Sequence, residues 1–137
     1  MGLGELMRTD NWKNEKHVPV IDSPDQVPVD EMFEVQVSIG KEIAHPNTTE
    51  HHIRWIGLFF KPDGDPNTYD VGQFSFNAHG ESVKGPNEGP VYTHHGVKTM
   101  LKIAGPGTLH ASAYCNIHGL WQSSKRVTTS EQSAAVS

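Results

Sequence analysis

Cysteine is almost absent from this chain: there is one thiol, Cys115, in 137 residues. That excludes an internal disulfide framework and any four-cysteine metal knot, and leaves a buried filler, a reactive thiol or a thiolate ligand. Long apolar runs are missing too, and none approaches the ~20 residues of a membrane-spanning helix. Met1 to Asp10 lacks a basic region followed by an apolar core, so no signal peptide is read there and a cytoplasmic protein is expected. No basic stripe offsets the formal net charge of −5, which argues against a nucleic-acid partner. The same charge repels a small anionic substrate at long range. Nor does any stretch hold a 3.6-residue apolar period over three turns, so long helices are not expected.

Glycine and proline, by contrast, are plentiful at 13 and 9 residues, and they cut the chain into short segments. Phe33, Val35, Val37 and Ile39 alternate with polar residues, which is a strand with one buried face. Residues 52–60 are β-branched and aromatic and read as a strand buried on both sides. Residues 69–78 follow as a strand with Gly72 a candidate bulge, and 97–103 alternate again. Leu109, Ala111, Ala113 and Cys115 share one face, which puts Cys115 inward at a strand end. A last strand is expected over 121–129. The fold class is therefore all-β: an antiparallel β-sandwich of about seven strands forming one domain, 1–137. Residues 1–31 read as a largely irregular arm, broken by Pro19, Pro24 and Pro28, and 130–137 as a flexible tail.

Five residues stand out as metal ligands: His17, His45, His51, Cys115 and His118. Each falls in a loop or at a strand end, where side chains can converge at one end of a sandwich. His45 and His51 bracket a short loop, Cys115 and His118 a tighter turn, and His17 enters from the arm. His51 and His52 are neighbours on opposite faces, so at most one of them is a ligand. Structural zinc prefers four ligands, typically rich in cysteine. Four imidazoles and a thiolate exceed that count and suit five-coordinate iron or copper. Four nitrogens in a plane with an axial sulfur leave one position open for a small ligand.

Three motifs carry a resemblance: Glu15-Lys16-His17-Val18-Pro19, His45-Pro46-Asn47-Thr48-Thr49-Glu50-His51-His52-Ile53 and Cys115-Asn116-Ile117-His118-Gly119-Leu120-Trp121. With them, nearly the whole chain resembles the superoxide reductases, and more narrowly their single-iron form, the neelaredoxins. The resemblance implies an immunoglobulin-like sandwich holding one iron per chain, cycling between Fe2+ and Fe3+, on the five residues above, with His51 rather than His52. It implies reduction of superoxide by one electron and two protons to hydrogen peroxide, an antioxidant detoxification without oxygen release. It gives Glu15 the sixth position of the ferric iron and Lys16 the attraction of superoxide. It also implies a rubredoxin-like electron donor and a homo-oligomer, dimer or tetramer. The extra four-cysteine iron domain of two-iron relatives has no counterpart in a chain with one cysteine.

Blander readings bear on the remaining residues. His79, His94, His95 and His110 match no motif and are expected to be exposed, with the pair His94-His95 the one candidate for a second metal. Trp12 and Trp121 read as packing, and Lys41 as part of a positive rim. The competing function is a cupredoxin-like copper electron carrier, but Gly119-Leu120-Trp121-Gln122-Ser123 offers no methionine for its axial position. A zinc-stabilised binding module is disfavoured by the ligand count.

Overall fold

The structure is a computed structural model and describes residues 1–132. After a single helical turn, α1 (Leu3–Leu6), the ordered elements are strands: β1 (Val20–Asp22), β2 (Gln26–Pro28), β3 (Phe33–Ser38), β4 (Ile53–Pro62), β5 (Tyr69–Ser75), β6 (Gly96–Leu101), β7 (Gly107–Cys115) and β8 (Gly119–Ser130). They form two sheets, one ordered β1-β3-β6 and the other β2-β8-β7-β4-β5. Alternation in sequence becomes alternation in burial: Val35 and Val37 on β3 and Leu109, Ala111, Ala113 and Cys115 on β7 all lie between the sheets. Ile53, Ile56, Leu58 and Phe60 of β4 complete that core. No helix among the described residues is long and apolar enough to cross a membrane.

The described residues form eight strands, against the about seven expected, and one strand pair is parallel. The arm, expected to be largely irregular, supplies β1 against β3 and β2 against β8. Three-residue strands are too short to show alternation. The parallel strand β2 ends in Pro28, which has no N–H to donate and is accommodated because β2 is the outer strand of its sheet. Residues 130–137 were expected as a tail. Ser130 pairs with Pro28 as the last residue of β8, and residues 133–137 lie outside the described residues.

Two irregularities sit in β4. The register slips between Leu58 and Phe59 opposite Gly72 and Asp70, next to the glycine read as a bulge. A second slip lies between Ile53 and Trp55 opposite Cys115 and Tyr114. Bulges bend a strand and re-aim its side chains. The second one is placed where the chain leaves the sheet toward His51 and His52.

Candidate metal centre

At this end of the sandwich three segments meet: the arm at His17, the loop 45–52, and the turn from β7 into β8. The first is fastened from outside. Arg8 N–H donates to Leu120 O at 3.1 Å and Gln122 N–H to Arg8 O at 2.9 Å, laying the arm along β8. Trp121 lies between the Arg8 guanidinium, 4.4 Å from its ring centre, and the His17 ring, stacked at 5.0 Å and 16°. Its indole N–H donates to His118 O at 3.2 Å. The residue read as packing thus fixes both ends of the cluster.

The loop 45–52 is set by a glycine and by short hydrogen bonds. Gly40 has φ +79, and a Cβ there would meet His45 N at 2.6 Å, so no other residue lets the chain double back this tightly. His51 N–H donates to Thr48 Oγ1 at 3.0 Å, and Thr48 N–H to His51 O at 2.9 Å. Asn116, inside the Cys-x-x-His turn, holds this loop to β7. It accepts from His52 N–H at 2.8 Å and donates through its side-chain amide to Glu50 O at 2.8 Å. Sequence reasoning passed over Asn116; the only trace of it was an amide side chain between two candidate ligands, at a turn.

The four imidazoles stand in a square. Ring centres of neighbours lie 4.9 Å apart for His17 and His45, 4.8 Å for His45 and His51, 5.0 Å for His51 and His118, and 4.5 Å for His118 and His17. Across the square, His17 and His51 are 6.3 Å apart. His118 Nδ1 is 3.1 Å from His17 Nε2 and 3.2 Å from His51 Nε2. Metal–nitrogen bonds of ~2.1 Å place adjacent donors ~3.0 Å apart, so this spacing suits ligands at right angles about one ion. Donor atoms of His17, His45, His51 and Cys115 all lie within 4.8 Å of one another. Cys115 Sγ is 3.7 Å from His118 Nδ1 and accepts the His118 backbone N–H at 3.4 Å.

On His45 and His17 the other ring nitrogen is committed elsewhere, which fixes where the lone pair points. His45 Nδ1–H donates to Pro46 O at 2.6 Å, while its buried Nε2 has no partner within the protein. A buried orphan of this kind is costly unless something else satisfies it, and a metal ion does. His17 Nδ1–H donates to Glu15 Oε1 at 2.6 Å, the carboxylate–imidazole pairing that orients a metal ligand. Burial pushes the pKa of His45 down to about 3 and also lowers those of His17 and His51. All three rings are thus neutral, as ligands must be. Four imidazole rings and a fully buried thiol fit one iron ion.

Glu15 and Lys16 occupy different places. Partial burial would raise the Glu15 pKa, but hydrogen bonds from the His17 ring and backbone outweigh it and hold it below the ordinary value. Glu15 sits behind His17, its Oε1 accepting from the backbone N–H at 3.0 Å and the ring Nδ1–H at 2.6 Å, rather than among the converging donors. The Lys16 charge acts on the cluster, since it contributes to the lowered pKa of both His17 and His51.

His118 is exposed, which leaves one edge of the square to solvent. The histidines outside the cluster depart from expectation. His79 and His95 are buried, at 3% and 7% exposure, and His52 lies face to face with His79 at 3.5 Å. His94 and His110 are exposed as expected. Burial also brings His95 down to about 4. His94 and His95 stack side by side at 5.3 Å and belong to no group of three or more metal-type donors among the described residues.

Comparison with known proteins agrees with the geometry. Residues 9–124 match the desulfoferrodoxin family. The chain is 62% identical to a neelaredoxin of Megalodesulfovibrio gigas over 127 residues, 93% of this chain and 98% of that one. It is 52% identical to a superoxide reductase of Pyrococcus furiosus, over 88% of this chain and 94% of that one. The structure of the reduced superoxide reductase (neelaredoxin) from Archaeoglobus fulgidus superposes with a TM-score of 0.84 at 50% identity, covering 90% of this chain and 98% of that one.

Proposed function

The chain belongs to the desulfoferrodoxin family, and from that premise we propose how its donor cluster works. The protein is an oxidoreductase that holds one iron and reduces superoxide to hydrogen peroxide, consuming one electron and two protons and releasing no oxygen. The observation that carries this reading is the square of imidazoles with a buried thiol beside it. We assign His17, His45, His51 and His118 as the nitrogen ligands that would hold the iron and Cys115 as its sulfur ligand.

Iron held there would supply the one-electron redox chemistry. The chain does the rest. The Cys115 thiolate would donate electron density to the iron, moderated by the hydrogen bond from His118 N–H. The stacked Trp121 and the Glu15 carboxylate keep His17 at its corner of the square. Lys16 lies in an acidic protein yet projects positive charge onto this cluster, so it would draw the anion there. It would also orient the water that delivers a proton. Glu15, held on His17 Nδ1 in this structure, would serve as a further oxygen donor to the ferric iron. The electron donor is rubredoxin-like, the chains associate as dimers or tetramers, and the setting is cytoplasmic; family membership supports these three and each has its own assay.

The test joins metal analysis to pulse-generated superoxide mixed with the reduced protein. One iron per chain and one peroxide per superoxide are expected. Copper or zinc in place of iron, or oxygen released in proportion to the peroxide, overturns the reading.

A further inference from the structure

A superoxide reductase must be recharged with one electron after every turnover, and the inference here rests on that reading of the site. The exposed His118 edge is the obvious entrance. The opposite corner of the square is His45, since His17 and His51 are the neighbours of both His45 and His118. His45 is buried, and behind it stands His95, edge-on at 5.7 Å and 80°. His95 in turn stacks on His94 at 5.3 Å and 27°, and His94 is exposed. Three rings in succession thus connect a ligand position to solvent on a side away from His118.

The relay is held rather than accidental. Ile39 N–H donates to His95 O at 3.1 Å, pinning this stretch to the end of β3. A Cβ at Gly96 would meet His94 Nε2 at 3.0 Å, so the glycine leaves room for the outer ring to fold over the strand. His95 Nδ1 is buried with no partner within the protein, a cost that ordinary packing would avoid with a phenylalanine. Just before His94 in the sequence, Val91 and Tyr92 are 58% and 43% exposed, apolar side chains of the sort a small, transient redox partner contacts.

We propose that His94, His95 and His45 form an electron-entry relay, and that a one-electron carrier protein docks at His94 with Val91 and Tyr92. In this step one electron leaves the carrier, which is oxidised, and reduces the ferric centre to ferrous. No bond is made or broken and no proton need move. Separating the two faces lets the carrier remain docked while superoxide approaches past Lys16.

The experiment mixes reduced rubredoxin with the oxidised iron-loaded protein and follows the reduction rate against rubredoxin concentration. His95→Ala should lower the saturating rate by an order of magnitude, and His95→Phe, which restores a ring, should recover most of it. His94→Ala should raise the concentration needed for half-saturation. Iron content, midpoint potential and the rate of superoxide consumption by pre-reduced protein should stay as in the parent. An unchanged saturating rate in His95→Ala overturns the relay, and so does a His95→Phe variant as slow as His95→Ala. A changed potential or lost iron would make His95 a prop for His45 and would overturn conduction equally. If the parent protein itself fails to consume superoxide, the functional reading falls first; if it consumes superoxide while the variants are reduced by rubredoxin as fast as the parent, only the relay falls.

Discussion

Serine at position 115 keeps the shape of cysteine but replaces a soft, electron-rich ligand with a hard, weakly basic one. Cys115→Ser should therefore abolish the sulfur-to-iron charge-transfer colour of the oxidised protein and nearly all reductase activity. Visible spectra and pulse kinetics on iron-loaded samples check it. Glu15→Ala removes the acceptor on His17 Nδ1 and the proposed sixth ligand together. It should change the spectrum of the oxidised protein while leaving the reaction of the reduced protein largely intact; an unchanged oxidised spectrum would show that Glu15 never reaches the iron. The converging residues were legible in the sequence because ligands come in local pairs, His45 with His51 and Cys115 with His118, and because three motifs matched a family. His95 and His79 were not. A solitary histidine looks the same whether solvent or a neighbouring segment covers it, and here the cover comes from chain far away in sequence.

Between residue and molecule, the decisive element is the turn from β7 to β8. Its Asn116 side chain joins Cys115 and His118 to the loop that carries His51, through one accepted and one donated hydrogen bond. Asn116→Ala leaves His52 N–H and Glu50 O without these partners, a loss of roughly 1–3 kcal/mol where such groups are shielded from water. The expected result is a lower melting temperature together with weaker iron retention, read by calorimetry and by iron content after chelator challenge. Retained iron with a lowered melting point would mean that the turn, not the bridge, aligns the ligands. Strands β3 to β8 were readable because each is long enough to alternate. The strands β1 and β2 were not, since pairing partners rather than their own residues make them strands, and the parallel β2–β8 pair depends on where the arm crosses.

At the scale of the whole molecule, charge decides two outcomes. The chain carries a formal net charge of −5, so attraction of superoxide depends on a local field. Lys16→Ala should slow the second-order reaction with superoxide and weaken its dependence on ionic strength, measured by pulse radiolysis over a salt series. Acid acts through burial. His45 and His95 titrate at about 3 and about 4 instead of the ordinary 6.5, so between these values the unfolded chain binds protons that the fold does not. Their contribution to stability is complete above 6.5 and is lost as the pH falls toward 4 and then 3. Metal-free protein should melt at progressively lower temperature over that range, and His95→Phe should soften the decline; a melting temperature indifferent to pH would show that both rings charge freely in place. The fastening of Arg8 along Leu120 and Gln122 has a consequence in time as well as in space. His17 lies 101 residues before His118 in the sequence, so the donors meet only through contacts that span most of the fold. Contacts that span so much of the chain form late in folding. The donor square therefore closes together with the sheets that carry it, and iron is captured by an assembled sandwich rather than by a partly folded chain.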